Sequence, residues 1–249
     1  MKYEPIQVEQ YDEFNKIILN NSEAGNTIDS FMIKRINQAI DDCKKKIIIL
    51  EGGEDTFCEG ANFNQISEEG NSYNENCAKN MYLLWKRMRQ EPIIFLSHVK
   101  GRVNAGGIGF IAASDIVISN ESATYSLSEL LFGLFPACVL PFLINKIGYQ
   151  KSNYLTLMTR AFTAMEAHNM GLVDCVDEDS DRILKKHIQR IKYIKTSGLE
   201  KYKSYLMNFS SIITEYEDFA IKANKEMFLE PENQNAIVNY VNNQKMPWE

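Results

Sequence analysis

Apolar and polar positions alternate along the first two thirds of the chain in patterns that predict strands and helices in turn. Continuous apolar runs at 47–50 and 93–99 are typical of strands that are buried on both faces. A helix is predicted between them over about 77–90, ending before a proline. An earlier helix is indicated by apolar residues at helical spacing, with Thr27 or Asp29 as its N-cap. The spaced residues are Ile28, Met32, Ile36, Ile40 and Cys43.

This alternation predicts an α/β protein built from stacked βαβ units with parallel strands. A further strand is predicted at 115–119, and the remaining third of the chain reads as helices. One of these helices, at 163–170, is closed by Gly171. No repeat or linker divides the sequence. We therefore expect one folding unit, with a core over 1–190 and a C-terminal helical region over 191–249.

Composition and charge indicate a globular protein and argue against some kinds of partner. The chain has 249 residues, 45% of them hydrophobic and 24% charged, which is typical of a globular domain. The formal net charge of −6 makes a nucleic-acid partner improbable. Local basic clusters, such as Lys86 with Arg87, are either solvated helix faces or docking points for an anionic partner.

The cysteines and the apolar runs bear on the cellular setting. The five cysteines are scattered and include no CxxC pair, so we expect neither a metal site nor a disulfide framework. The first residues are polar and acidic, unlike a secretory signal. The longest apolar run, 130–144, contains Pro136 and Pro141 and is too short to span a bilayer. We therefore expect a cytoplasmic protein without a membrane partner.

Two glycine-containing elbows follow the predicted strands. The segment 100–110 reads K-G-R-V-N-A-G-G-I-G-F and leads into an apolar, helix-capable segment at 110–118. The upstream strand is followed by E-G-G at 51–53 and by F-C-E-G-A-N at 57–62. Glycine lets backbone N–H groups approach a ligand oxygen, so the two elbows could supply two donors to one thioester carbonyl. The alternative is close helix–strand packing, and the spacing does not match a dinucleotide fingerprint.

Glu129 is the one carboxylate in an otherwise apolar stretch, S-L-S-E-L-L-F-G at 126–133. Burial against apolar side chains raises the pKa of a carboxyl towards neutrality, which suits a group that takes and gives a proton. The alternative is a carboxylate that satisfies backbone N–H groups at a helix start. The two elbows favour catalysis.

Other candidates have structural alternatives of equal or greater weight. His98 lies within an apolar strand pattern and is better explained as a core histidine than as a base. Cys138 has no histidine partner in a recognisable arrangement, which favours packing over nucleophilic chemistry. Arg102 and Asn104 flank the second elbow and could bind substrate or serve as caps.

These segments, in this order, resemble the crotonase (enoyl-CoA hydratase/isomerase) superfamily over nearly the whole chain. The first elbow is similar to its F-x-x-G-A-D motif, with Asn62 in place of the usual aspartate. The second elbow, the segment around Glu129 and the stretch at 163–174 are similar to its later motifs. The resemblance implies a crotonase-like fold with a C-terminal helical trimerisation region, in a homotrimer or hexamer.

The resemblance also implies site residues. The backbone N–H groups of Glu59 and Gly106 would form an oxyanion hole, and Glu129 would be the acid/base. The position of the first of two glutamates that hydratases use is Gly109 here, which puts ordinary water addition in doubt. The substrate-binding residues would be Ala61, Asn62, Asn104, Gly107, Arg102 and Cys138.

A closer resemblance is to the dehydratase of polyketide β-branching cassettes of the bacillaene type. It implies a hydro-lyase that dehydrates a 3-hydroxy-3-methylglutaryl group on an acyl carrier protein to 3-methylglutaconyl, with no cofactor beyond the phosphopantetheine or CoA thioester. Lys86, Arg87 and Arg102 are candidates for the substrate carboxylate, and Lys86 and Arg87 for carrier docking. A Δ3,Δ2-enoyl thioester isomerase, a decarboxylase and a non-catalytic scaffold or RNA-binding homologue are the alternatives.

Overall fold

Two β-sheets and the helices around them form the protein, which is described by a computed structural model over residues 4–63, 75–243 and 246. The strands β1 to β10 are Ile6–Gln10, Asn15–Leu19, Ile47–Glu51, Thr56–Cys58, Ile94–Val99, Arg102–Asn104, Ile116–Asn120, Thr124–Ser126, Phe162–Thr163 and Cys175–Asp177. The helices α1 to α11 are Ser30–Asp41, Glu75–Gln90, Gly107–Ala113, Leu140–Ile147, Tyr149–Met158, Ala164–Met170, Ser180–Ile191, Thr196–Met207, Ser211–Glu215, Glu217–Leu229 and Pro231–Asn243.

The larger sheet has six strands in the order β1-β2-β3-β5-β7-β10. Only β1 and β2 pair antiparallel, and the other neighbours are parallel. Every residue of β3 and β5 is buried, because helices cover both faces of this part of the sheet. The continuous apolar runs therefore predicted these two strands correctly.

The smaller sheet has four short strands in the order β4-β6-β8-β9. Its first three strands are parallel, and β9 pairs antiparallel with β8. The sequence did not predict these strands, because two or three residues are too short to show a periodic pattern. The repeating unit is consequently strand, short strand and helix rather than a plain βαβ unit.

The helix after the second elbow begins earlier than the sequence indicated. The predicted helix-capable segment was 110–118, whereas α3 runs from Gly107 to Ala113. It ends at Ser114, whose backbone is extended, and the next carboxylate, Asp115, accepts a hydrogen bond from the Phe95 N–H at 2.8 Å. This hydrogen bond holds Asp115 beside β5, and the chain continues into β7 instead of making a further helical turn.

The caps of two helices match the sequence signals. The Asp29 side chain accepts a hydrogen bond from the Met32 N–H at 2.6 Å, so Asp29 is the N-cap of α1. At α6, Thr163 and Glu166 form a capping box, and Gly171 closes the helix with a φ of 86°. Both helices lie where the sequence predicted them.

The C-terminal helices pack directly onto the core. The Tyr82 hydroxyl donates to the Ile213 carbonyl at 2.7 Å, and Lys86 pairs with Glu217 at 2.6 Å. Ile213 and Ala220 belong to the same buried cluster as the sheets. The division at residue 190 remains a prediction. Across the described residues, the helices lack the combination of length and apolar character that crossing a bilayer requires.

Candidate active site

The segments that carry the predicted chemistry follow three neighbouring strands of the smaller sheet. Strands β4, β6 and β8 are parallel, with Cys58 paired to Val103 and Asn104 paired to Ser126. Because parallel strands end at the same edge of a sheet, the two elbows and the Glu129 segment leave side by side. The fold therefore gathers residues that lie far apart in sequence.

A cavity of about 670 Å³ opens at this edge, between the elbows and the C-terminal helices. The three residues predicted as catalytic, Glu59, Gly106 and Glu129, all line it. So do four of those predicted to bind substrate, namely Ala61, Asn62, Asn104 and Cys138. Its volume is in the range of ordinary small-molecule sites.

The two elbows are in direct contact at Gly60. A Cβ atom on Gly60 would lie 2.8 Å from both the Ala105 Cβ and the Gly106 nitrogen. The φ of Gly60 is 87°, a left-handed conformation that favours glycine. Only glycine fits this position without moving the second elbow, which explains why the first elbow carries it.

The hydrogen bonds of the first elbow correct one sequence assignment. The Glu59 N–H donates to the Gly25 carbonyl at 3.0 Å, so it is not free to bind a ligand oxygen. The Gly60 carbonyl is also engaged, accepting from the Ile28 N–H at 2.7 Å. Within the described residues, the N–H groups of Ala61 and Gly106 have no acceptor. Ala61 therefore replaces Glu59 as the candidate donor beside Gly106.

Glu129 begins a 3₁₀ turn that runs to Phe132 and ends at Gly133, whose φ is 75°. Its Oε2 is buried and has no hydrogen-bond partner among the described residues. Burial raises the pKa of the Glu129 carboxyl from 4.5 to about 7, although the backbone N–H groups of Glu129 and Ser128 oppose the rise. A carboxyl with one oxygen left without a partner and a pKa near neutrality can accept and donate a proton under physiological conditions.

The position of the missing glutamate is filled by an aromatic ring. A Cβ atom on Gly109 would lie 2.2 to 2.5 Å from ring atoms of Trp85. Trp85 is fully buried and packs edge-on against Phe110 and Phe142. A glutamate side chain at 109 would fit only if the Trp85 ring moved away, which would require the helix that carries Trp85 to shift.

Two residues predicted to bind substrate do not line the cavity. Arg102 is exposed, and its guanidinium donates to Glu59 Oε1 at 2.8 Å and to Thr56 Oγ1 at 3.1 Å. Gly107 serves close packing instead, because a Cβ there would lie 2.4 Å from the Cys58 carbonyl oxygen. Arg102 therefore contacts a residue that lines the cavity, Glu59, but does not line the cavity itself.

The basic pair predicted to dock a carrier protein already has acidic partners within the chain. Lys86 pairs with Glu217 at 2.6 Å. Arg87 pairs with Asp41 at 2.6 Å and with Glu91 at 2.9 Å. Neither lines the cavity, so neither can bind a substrate carboxylate there. The geometry gives carrier docking at this pair no support.

Cys138 lines the cavity but has the environment of a packing residue. It is buried, and its thiol donates a long hydrogen bond of 3.9 Å to the Ala220 carbonyl. Burial raises the pKa of Cys138 to about 12, which disfavours the thiolate. This agrees with the interpretation that Cys138 is not a nucleophile.

His98 lies outside the cavity in a buried polar cluster. Its Nδ1 is 2.6 Å from Glu51 Oε1, and its Nε2 is 2.8 Å from Ser180 Oγ. Lys16 pairs with the second oxygen of Glu51 at 2.7 Å, which compensates the buried charge. The arrangement supports the view that His98 is a satisfied core histidine.

The sequence did not predict that the C-terminal helices form part of the cavity wall. Asn224, Phe228 and Tyr240 line the cavity from α10 and α11. Thr27, considered only as a cap, also lines it, and its Oγ1 is buried without a partner among the described residues. The sequence feature that could have indicated this wall of the cavity is Asn224. It is a polar residue one helical turn from both Ala220 and Phe228, on the buried side of the helix.

The fold and this site define a family. The family model for enoyl-CoA hydratase/isomerase matches residues 9–249. The protein belongs to this family, as the sequence motifs predicted, and it has the crotonase fold.

One curated relative and two solved structures show how similar the chain is to individual proteins. The chain is 39% identical to the bacillaene synthase dehydratase PksH of Bacillus subtilis (strain 168), over 99% of this chain and 97% of that protein. A crystal structure of pksH from Bacillus subtilis superposes with a TM-score of 0.94 at 38% identity, covering 99% of this chain and 100% of the other. An enoyl-CoA hydratase/isomerase from Xanthobacter autotrophicus Py2 shares the fold, with a TM-score of 0.87 at 21% identity, covering 97% and 94%.

Proposed function

We propose that the protein is a hydro-lyase that dehydrates a 3-hydroxy-3-methylglutaryl thioester, carried on an acyl carrier protein, to the 3-methylglutaconyl thioester. The observation that supports this most is the Glu129 carboxyl, which is buried, has an Oε2 without a partner among the described residues, and has its pKa raised to about 7. It shares one cavity with Ala61 and Gly106, whose backbone N–H groups have no acceptor within the part of the chain that the structure describes. The likeness to a bacillaene synthase dehydratase supports a dehydration in polyketide assembly.

The two N–H groups would hold the thioester carbonyl oxygen. When the α-proton leaves, negative charge moves onto that oxygen, and the two donors stabilise the resulting enolate. One such donor is typically worth about 2.7–4 kcal/mol of transition-state stabilisation. Both donors lie on the elbows that follow β4 and β6, which are packed against each other at Gly60.

Glu129 would carry both proton transfers. Its carboxylate takes the α-proton, and the carboxyl so formed gives that proton to the departing 3-hydroxyl, which leaves as water. The C–O electron pair departs with the oxygen, the enolate collapses to the double bond, and Glu129 returns to its starting form. One carboxylate suffices if both groups leave from the same face, which accommodates a glycine at 109. The mechanism uses only groups of the chain, so we expect no cofactor beyond the pantetheine thioester.

The test compares the wild-type protein with Glu129→Gln. Intact mass spectrometry would follow 3-hydroxy-3-methylglutaryl carrier protein incubated with each. We expect the wild type alone to remove one water, while both proteins bind the substrate with similar affinity. Dehydration by the Gln variant at a near-normal rate would contradict the role of Glu129. Absence of dehydration by the wild type would contradict the function itself.

A single glutamate acid/base, with glycine at 109, also favours a second candidate, a Δ3,Δ2-enoyl thioester isomerase. Isomerisation needs the same enolate and one residue that moves a proton between two carbons, so it makes no use of a substrate hydroxyl. A β,γ-unsaturated thioester offered in place of the hydroxylated substrate separates the two. Isomerisation is silent by mass, and the conjugated product is therefore followed by its ultraviolet absorbance.

We further propose that the protein acts as a cytoplasmic homotrimer or hexamer. Several aromatic side chains of the C-terminal region are more than half exposed: Tyr193, Tyr202, Tyr205, Phe209 and Phe219. Large apolar surface of this kind typically marks a contact with another chain. Sedimentation equilibrium of the purified protein would give the number of copies, and a monomer would contradict the proposal.

A further inference from the structure

The candidate substrate carries a free carboxylate, yet the described part of the cavity lining contains no lysine, arginine or histidine. It contains instead the three carboxylates Glu23, Glu59 and Glu129. Arg102 offsets the charge of Glu59 at 2.8 Å, and the pKa of about 7 leaves Glu129 partly neutral. Within the described lining, an anionic substrate group can therefore be held only by neutral donors.

Asn224 is one of three side chains in the described cavity lining, with Thr27 and Glu129, that have a buried oxygen without a partner among the described residues. It is 8% exposed and lies on α10 between apolar residues of the same buried stripe, Ala220 and Phe228. Its Oδ1 is buried, and the amide makes no hydrogen bond with the other described residues. Burying a polar group without a partner destabilises a folded protein, so an amide kept in this cavity wall is suited to contact a ligand.

We infer that Asn224 is a specificity-determining residue that donates a hydrogen bond from its amide to the distal carboxylate of the substrate. The inference rests on the proposed function and adds the recognition of the second carboxylate to it. A neutral amide avoids a permanent positive charge beside Glu129, which would lower the pKa of that carboxyl and weaken it as a proton donor. The unpartnered Oδ1 is an acceptor, so donation to a carboxylate comes from Nδ2, the other end of the same amide.

Asn224 also has a position that suits this role. Cys138, which lines the same cavity, donates to the Ala220 carbonyl one helical turn before Asn224. Asn224 belongs to α10, so its amide reaches the cavity from the C-terminal helices, whereas the donors for the thioester belong to the elbows. A substrate with a carbonyl at one end and a carboxylate at the other would span the cavity between them.

The experiment measures kcat/KM for two thioesters that differ only in the distal group. One is 3-hydroxy-3-methylglutaryl thioester, and the other is 3-hydroxy-3-methylbutyryl thioester, which has a methyl in place of the carboxymethyl group. We expect Asn224→Leu to lower kcat/KM for the first by about tenfold to a hundredfold, as expected for the loss of a hydrogen bond to a charged group. The second substrate should change little, so the preference of the wild type largely disappears.

A second variant and a folding control keep the test decisive. Asn224→Asp has nearly the same shape and places a negative charge against the substrate carboxylate, so it should discriminate against the glutaryl substrate even more strongly. Asn233, a buried asparagine whose amide donates to the Met227 carbonyl at 3.0 Å, is the matched control. Asn233→Leu should lower the melting temperature, whereas Asn224→Leu should not.

The outcomes separate the inference from the proposed function. If the wild type dehydrates the glutaryl substrate and Asn224→Leu keeps the same preference, or lowers both substrates equally, the inference is wrong and the function stands. If the wild type dehydrates neither substrate, the function fails. Calorimetric binding of the unreactive 3-methylglutaryl thioester would then test Asn224 alone, with equal affinity for wild type and Asn224→Leu overturning the inference.

Discussion

The burial of Glu129 has a consequence for stability that can be measured without any substrate. The pKa of its carboxyl is about 7 in the folded protein, against 4.5 for the ordinary group. A difference of this size corresponds to about 3 kcal/mol between the two protonation states. The folded protein therefore resists ionising Glu129 by about this amount, and the substitution Glu129→Gln removes that resistance.

The direction in which stability changes with pH depends on which state, folded or unfolded, keeps the proton on Glu129. Below pH 4.5 the carboxyl is protonated in both the folded and the unfolded chain, so it adds no pH dependence. Between 4.5 and about 7 the unfolded chain ionises while the folded one keeps its proton, and folding stability falls as the pH rises. Above the folded pKa the whole penalty is present. Wild type should consequently lose stability over this range, and Glu129→Gln should lose less.

The assay is urea denaturation of both proteins at about pH 5 and about pH 8, with the free energy of unfolding extrapolated to water. Between the two conditions, the stability of wild type relative to Glu129→Gln should change by about 3 kcal/mol, in favour of the variant at the higher pH. Glu226→Gln, at a largely exposed helix position, controls for the loss of one carboxylate. Parallel pH profiles for wild type and Glu129→Gln would refute the argument that Glu129 is buried and unpartnered.

Two further results are expected from the packing around the cavity. Gly109→Ala should lower the stability by about 1–3 kcal/mol or more, because its Cβ would overlap the Trp85 ring; thermal unfolding measures this. Gly198→Ala, with open space around the added Cβ, is the control and should not destabilise. Cys138 should resist iodoacetamide at mildly alkaline pH in the folded protein, because burial raises its pKa to about 12; rapid labelling, located by peptide mass spectrometry, would contradict this.

Long, strongly patterned elements were predictable from the sequence. The apolar runs that became β3 and β5 and the N-cap Asp29 all carry local signals, since burial on both faces and a capping side chain leave a pattern in a few neighbouring residues. The short strands β4, β6 and β8 carry no such signal. They nevertheless decide where the site forms, because their parallel pairing brings three loop segments to one edge.

The chemical types present at the site were also predictable. Glu129 in an apolar stretch indicates an acid/base, and the glycines of the two elbows indicate backbone donors, because both signals lie within a few neighbouring residues. What the sequence could not indicate is which N–H remains free. The Glu59 N–H is engaged by the Gly25 carbonyl, so Ala61 takes its place beside Gly106.

The sequence by itself thus determined the family, the order of the longer strands and helices, and the residue types that could perform the chemistry, because each of these depends on near neighbours in the chain. The tertiary structure decided the rest. It buried Glu129 and left its oxygen without a partner among the described residues, placed Trp85 over Gly109, and brought Asn224 to a cavity whose other walls lie far away in sequence. Burial and hydrogen-bond satisfaction are properties of contacts between distant segments, and only the folded chain specifies those contacts.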